Sequence, residues 1–326
     1  MPSPVIACFS SYSTDLVREL AGRPDVDVRV PAPGTERAST RRRQAVVTDL
    51  ARDADIVIGD AARRYVLDRP AIAAMHCCRL IEQPSVGYNT VDVDAASAYG
   101  IPVANAPGYN TDAVADWVLM AILVSLRDGI RADAVMRAGQ WPAWANGREL
   151  GALTVGIVGM GNIGSAVARR VAAFGSRVAY TSRRDHPGAI GERMPLNRLL
   201  GGSDIVTVHV PHTPDTERLI GAAQLASMRA GSLLVNASRG PVVDETALID
   251  ALLAGRPARA ALDVFDVEPL PATSRLRTLD NVYLSPHIAA NSEQARERVL
   301  SMVGENLKAV LAGRRAQHIV NPDAFV

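Results

Sequence analysis

The chain reads as an α/β protein with two doubly wound parallel-sheet domains, and three observations predict this. Its 326 residues are enough for two domains of roughly 100–200 residues each. Short apolar runs alternate with helical patterns along most of the chain, as the strand–helix units of a parallel sheet do. A glycine loop of the form GxGxxG follows one such run and opens the next helix. That arrangement cradles a dinucleotide pyrophosphate.

Composition sets the bounds. Hydrophobic residues make up 48% of the chain and charged residues 21%, the balance of an ordinary globular protein. Disorder, a collagen-like repeat and a disulfide scaffold are excluded as its main character. The longest largely apolar stretch, 117–126, is ten residues including Ser125, against the about 20 needed to span a membrane. The segment from Met1 to Ser11 has no Lys or Arg and so no basic-then-apolar leader. A soluble, cytoplasmic protein is expected. Thirty-five basic residues face 34 acidic ones, a net charge of +1, so no global field draws in nucleic acid. Lys308 is the only lysine, which makes any single arginine weak evidence for a phosphate site. The cysteines are Cys8, Cys77 and Cys78. An odd number with an adjacent pair predicts reduced core thiols. No CxxC suggests zinc, and no metal is expected.

The elements follow in order. Apolar runs predict strands at 5–9, 26–30, 55–59, 79–83 and 102–104. Between them, helical spacing predicts helices at 14–20, 41–52 and 92–99, the last closed by Gly100. A long amphipathic helix is expected over 111–127, continuing to Gly139. An irregular aromatic arm follows at 138–144, where Trp141 and Trp144 serve an interface or anchor the core. Then come strands at 154–158, 178–180, 205–208, 233–236, 260–264 and 282–284. Six strands with helices between them match a six-stranded doubly wound nucleotide-binding sheet. A last helix over 293–311 leads into a polar tail. No solenoid repeat or low-complexity tract appears.

The phosphate loop is Gly159-Met160-Gly161-Asn162-Ile163-Gly164. Gly159 permits the tight turn, Gly161 lets the backbone approach a pyrophosphate, and Gly164 allows close helix–strand packing. The helix expected over 165–174 turns its amino end to the anion. An NAD site places an acid about 20 residues past the loop, on the ribose 2′-hydroxyl. Near that slot stands Ser182, followed by Arg183 and Arg184. A carboxylate there repels a 2′-phosphate, whereas serine with arginines accepts one. NADP is therefore favoured over NAD, with Asp185 as the acid that would serve NAD instead.

Six histidines are present. His76, His186 and His318 sit in polar contexts and are set aside. His209 and His212 flank Pro211 after the strand at 205–208, and with Val210 and Thr216 they are placed along the cofactor. His287 follows the strand at 282–284, with Pro286 fixing the backbone before it. Arg239 follows the strand at 233–236, and Glu268 the strand at 260–264. Carboxyl ends of strands face the ligand crevice in such sheets. One edge thus gathers a cation and an acid–base pair, which suits carbonyl reduction.

These motifs resemble the D-isomer-specific 2-hydroxyacid dehydrogenase family. It carries, in order, a GxGxIG loop, an Asn-x-x-Arg-Gly segment, an Asp-Val-Phe-x-x-Glu-Pro segment and a Pro-His-Ile segment. Here they stand at 159–164, 236–240, 263–269 and 286–288. Segments 85–92 and 105–111 match in the amino-terminal half, so the likeness covers essentially the whole chain. The resemblance implies two Rossmann-like domains with a cleft between them. The substrate domain is 1–106 with 289–326, flavodoxin-like, and the dinucleotide domain is 107–288. It further implies that Arg239 binds the substrate carboxylate and polarises its carbonyl, and that His287 exchanges a proton with the carbonyl oxygen as hydride moves. Glu268 holds the imidazole and favours its charged form. Asp263 meets the nicotinamide carboxamide. Asn162 and Ile163 meet the pyrophosphate, and Ala237 and Ser238 also line the cofactor. Backbone groups near Val86 and Gly87 grip the carboxylate, with Ser85, Tyr88, Tyr109 and Arg79 as further pocket wall. Homodimers are implied as well.

The sequence departs from the family pattern in three places. Asp116 stands where Glu is common, Ser182 where an NAD-type Asp is common, and Ala289–Ala290 where a glycine-containing pair is common. None removes a reacting group. Reduction of a small 2-keto acid is thus the expected activity. Oxidation of a small anion such as phosphite, or a nucleotide-sensing corepressor-like scaffold, are the alternatives.

Overall fold

The computed structural model describes residues 3–141, 143 and 146–325. The chain divides into two compact units, one of 1–109 with 293–326 and the other of 110–292.

Unit 1 alternates β1 (Val5–Cys8), α1 (Thr14–Ala21), β2 (Asp27–Arg29), α2 (Thr40–Ala51), β3 (Ile56–Ile58), α3 (Arg69–Ala73), β4 (Leu80–Glu82), α4 (Val93–Ala98) and β5 (Val103–Ala104). The five strands lie parallel in the order β2-β1-β3-β4-β5, the flavodoxin-like winding. Side-chain caps start these short helices. Ser13 accepts from Leu16 N, Asp68 from Ala71 N and Asp92 from Ala95 N. Each satisfies a donor that the first turn leaves orphaned.

Unit 2 begins with α5 (Thr111–Arg127) and α6 (Gly129–Arg137). The single helix expected to reach Gly139 is two helices. Asp128 between them takes φ +55, a left-handed conformation that Asp tolerates better than most residues. Arg259 fixes the break by donating to Asp128 Oδ1 at 2.7 Å and Ser125 O at 2.8 Å. Then follow β6 (Thr154–Val158), α7 (Asn162–Ala173), β7 (Arg177–Thr181), β8 (Glu192–Arg193), α8 (Leu196–Gly202), β9 (Ile205–Val208), α9 (Ala222–Ser227), β10 (Leu233–Asn236), α10 (Glu245–Leu253), β11 (Arg259–Leu262) and β12 (Val282–Leu284). The sheet is parallel, ordered β12-β11-β10-β9-β6-β7-β8. It has seven strands rather than the expected six. The addition, β8, is two exposed charged residues at the edge, too short to show a period. Short, charged edges also discourage pairing with other chains. Apolar layers cover both faces, α5 and α7 on one and α8 to α10 on the other. β9 and β10 are buried throughout, as strands covered on both faces must be.

The last helix, α11 (Glu293–Leu311), packs on α1 of unit 1. Trp141 is 87% exposed and is not a core anchor, while Trp144 lies outside the described residues. Cys8 is buried but Cys77 is exposed, so Cys77 is not a core thiol. Among the described residues no helix is long and apolar enough to cross a membrane, and no cluster of His, Cys, Asp or Glu is fit to hold a metal.

The burial of one carboxyl group, that of Glu82, was not foreseen. Glu82, at the end of β4, is fully buried and accepts from Asn306 Nδ2 of α11 at 2.8 Å. Its Oε1 has no partner. Burial raises its pKa from 4.5 to about 8, because the charged form is costly without water. The folded state therefore keeps a proton that the unfolded chain releases. The resulting stabilisation is complete below about 4.5 and is lost as pH rises through about 8. The wild-type thermal midpoint should fall across that window. Glu82→Gln, which carries no titrating proton, should flatten the slope, a difference on the order of 5 kcal/mol. Parallel Tm–pH curves for the two proteins would show that Glu82 is ionised when folded.

Candidate active site

The phosphate loop leaves the sheet at β6, between β9 on one side and β7 on the other. This is the switch point where strand order reverses and ligands bind. Gly159 takes φ +100, and a Cβ there would stand 2.7 Å from His209 O. A Cβ on Gly164 would stand 2.0 Å from Gly159 O, whereas one on Gly161 would meet nothing within 4 Å. The loop is thus tight at its base and open at its tip. α7 begins at Asn162, three residues before the expected start, so Asn162 and Ile163 head the helix itself. No side chain caps its first N–H groups, which leaves them for an anion.

Beyond β7, Ser182 donates to Arg184 O at 2.6 Å. Asp185 is paired with Arg193 of β8, and Arg193 also donates to Ser182 O at 2.9 Å. Asp185, the acid that follows this turn in sequence, therefore already faces a cation. Arg183 and Arg184 are exposed, and among the described residues neither has an acidic partner. The sequence signal for Arg193 was hidden because it lies on the strand that went unrecognised.

After β9, His209 Nε2 lies 2.9 Å from Thr207 Oγ1. Burial pushes the His209 pKa down to about 3, so this imidazole is neutral. Val210 and Pro211 continue the turn, which Thr216 ties by donating to Pro211 O at 2.6 Å. Asp116, on α5, pairs with Arg170 of α7 at 2.7 Å and so holds the helix behind the loop.

The predicted reactive groups follow β10, β11 and β12, three adjacent strands. Asn236 ends β10 and organises the turn after it. Its Oδ1 accepts from Ser238 N and Oγ, and its Nδ2 donates to Arg239 O at 3.0 Å. Ala237 packs against the core. Arg239 is half-buried and donates to Ser238 O at 2.6 Å. At Gly240 a Cβ would stand 2.0 Å from Phe265 C and O. Only glycine therefore lets the Arg239 turn sit against the segment that carries Glu268.

His287 and Glu268 form a close pair. Nδ1 lies 3.0 Å from Oε1 and 2.9 Å from Oε2. Glu268 is itself steadied by Phe265 N, which donates to Oε1 at 3.1 Å. His287 takes φ +55, an uncommon conformation for a side-chain-bearing residue that persists only where surroundings enforce it. Asp263 does the enforcing. It is 1% exposed, and its carboxylate accepts from Ile288 N at 2.8 Å, Ala289 N at 2.8 Å and the Ser285 hydroxyl. These donors bracket His287 in sequence. Ser285 was not singled out by the sequence reading, although it directly precedes the Pro-His-Ile segment.

In unit 1, Ser85, Val86, Gly87 and Tyr88 follow β4. Tyr88 and Val86 are exposed, and Tyr109 is half-buried with its carbonyl accepting from Arg298 at 2.7 Å. Arg79 does not belong with them. It precedes β4, at the opposite strand end, and its guanidinium donates to Val310 O and Asp55.

The family model for the D-isomer specific 2-hydroxyacid dehydrogenase NAD-binding domain matches residues 119–289. A glyoxylate reductase of Korarchaeum cryptofilum is 41% identical over 266 residues, covering 79% of this chain and 80% of the relative. The chain belongs to the D-isomer-specific 2-hydroxyacid dehydrogenase family. Among solved structures, a glyoxylate reductase from Paecilomyes thermophila superposes with a TM-score of 0.87 at 26% identity, over 98% of this chain and 99% of that one. A D-lactate dehydrogenase from Aquifex aeolicus, complexed with NAD and lactic acid, gives 0.84 at 25% identity, over 97% and 99%. The dehydrogenase described here is thus an oxidoreductase with a nicotinamide cofactor.

Proposed function

We propose that this dehydrogenase reduces a small 2-keto acid at C2, with NADPH favoured over NADH and glyoxylate as the first substrate to test. The observation that carries this reading is the Glu268–His287 pair, mounted beside the Arg239 turn at the carboxyl edge of the sheet. The relatives named glyoxylate reductase support the substrate class.

The residues fit a dinucleotide. The uncapped start of α7 and the open space at Gly161 suit a pyrophosphate. The exposed, acid-free pair Arg183 and Arg184, with Ser182, suits a 2′-phosphate. Val210, Pro211, Thr216, Ala237 and Ser238 would line the rest, and Asp263 would reach the carboxamide through its remaining lone pair. When bound, the cofactor supplies the hydride.

The chain's own residues do the rest. Arg239 holds the keto acid carboxylate and withdraws charge from the carbonyl. His287 donates a proton from Nε2 to the carbonyl oxygen as hydride reaches C2, and is reprotonated from solvent. Glu268 accepts from Nδ1–H, which fixes the tautomer and leaves Nε2 as the transferring atom. In the reverse direction His287 takes the proton back. In this reading unit 2 is the dinucleotide domain and unit 1 the substrate domain, whose 85–88 loop presents backbone N–H groups to the carboxylate. Exposed Ile130 and Met136 of α6, with Trp141, support a homodimer. A cytoplasmic enzyme follows from dependence on the reduced cofactor pool.

The test is the initial rate of cofactor oxidation at 340 nm with glyoxylate, hydroxypyruvate, pyruvate and phosphonopyruvate, each with NADPH and NADH. Turnover of at least one keto acid, faster with NADPH, is expected, from a protein that sediments as a pair of chains. No turnover across the set with cofactor binding intact would overturn the reductase reading in favour of phosphite oxidation or nucleotide sensing.

A further inference from the structure

Two buried side chains beneath the 85–88 loop play no part in the chemistry above. Gln83 is 1% exposed and Asn105 is 9% exposed. Asn105 Nδ2 donates to Val86 O at 2.8 Å. Gln83 Nε2 donates to Ser85 Oγ at 2.9 Å, and Ser85 Oγ passes the bond on to Gly87 O at 2.6 Å. Two consecutive carbonyls of the loop are therefore captured from below, one directly and one through a hydroxyl relay. Gln83 can occupy this place because position 59 is glycine. A Cβ there would stand 2.1 Å from Gln83 Oε1.

A trans peptide is planar, so its N–H points opposite to its C=O. Drawing Val86 O inward turns Gly87 N–H outward, and drawing Gly87 O inward does the same for Tyr88 N–H. Among the described residues neither N–H has a protein acceptor. Successive N–H groups facing one way form an anion-binding concavity. The exposed side chains of Val86 and Tyr88 mark that outer side as the wet one.

We propose that Gln83, Ser85 and Asn105 are positioning residues that aim the N–H groups of Gly87 and Tyr88 at the substrate carboxylate. Ser85 then acts through the loop rather than by touching substrate. Its single hydroxyl proton, the one group a carboxylate could accept from, is already given to Gly87 O. This rests on the reading of the 85–88 loop as a carboxylate site, and the experiment separates the two ideas.

Ser85→Ala, Ser85→Thr and Asn105→Ala are assayed with glyoxylate and with its methyl ester, which presents no carboxylate charge. Cofactor affinity and Tm are measured alongside. Ser85→Ala and Asn105→Ala should raise KM for glyoxylate about tenfold, the equivalent of one charge-assisted hydrogen bond. KM for the ester should change little, and so should cofactor affinity. Ser85→Thr keeps the hydroxyl and should restore most of the loss. If folded Ser85→Ala and Asn105→Ala bind both substrates as well as wild type, the positioning role is overturned. If both substrates suffer equally, the loop does not read the carboxylate, and both ideas fall. If Ser85→Thr is as poor as Ser85→Ala on glyoxylate, the relay through the hydroxyl is overturned.

Discussion

His287→Asn should lower kcat by about a thousandfold while leaving NADPH affinity within about twofold of wild type. A positioned general acid is worth roughly 10²–10⁴ in rate, and the imidazole of His209 cannot replace this one. His209 is neutral, buried and bonded to Thr207. Asparagine is the cleaner substitution for a physical reason. Position 287 holds φ +55, which Asn adopts more readily than most residues. The turn that Asp263 clamps through Ile288 N and Ala289 N should therefore survive. His287→Ala should lose as much turnover, with an added cost in Tm from the less tolerant backbone. Stopped-flow or steady-state rates give kcat, and quenching of bound-cofactor fluorescence gives affinity. Near-normal turnover in a folded His287→Asn protein would remove His287 from its role.

Much of this site was legible in the sequence because its groups sit at strand ends. A strand of four or five apolar residues followed by a glycine or a proline announces where the chain turns. In a parallel sheet the turn after each strand faces the ligand. Arg239, Glu268 and His287 could thus be placed on one edge from the sequence alone. Their supports were not legible. Asp263 braces His287 through two backbone N–H groups and a hydroxyl, and backbone donors leave no trace in residue identity. Gln83 stood at the end of one expected strand and Asn105 just beyond another, and their partners, the Ser85 hydroxyl and the Val86 carbonyl, leave no pattern in the sequence that marks them. β8 was missed because two residues carry no period. The helix break at Asp128 was missed because Asp is common inside helical patterns, and the bond from Arg259 that fixes it comes from 131 positions away.

Ser182→Asp should shift the kcat/KM preference from NADPH toward NADH by about tenfold to a hundredfold. The new carboxylate would stand at the end of β7, where the serine hydroxyl now donates to Arg184 O. A 2′-phosphate carries nearly two negative charges near neutral pH. At an effective dielectric of about 20, two like charges about 5 Å apart repel by about 3 kcal/mol. Exposure of the turn and screening by salt reduce this, which sets the lower end of the range. The local hydrogen bond is also lost, because an ionised carboxylate cannot donate to Arg184 O. Ser182→Ala isolates that effect, since it removes the donor without adding charge. A small, equal change for both cofactors is expected from Ser182→Ala, against a large, opposed change from Ser182→Asp. Asp185 cannot supply the missing acid in the wild type without giving up Arg193, and this is why the substitution should matter. Equal ratios in Ser182→Asp and wild type would place the ribose elsewhere than beside residue 182. The two arginines would then be solvated surface groups.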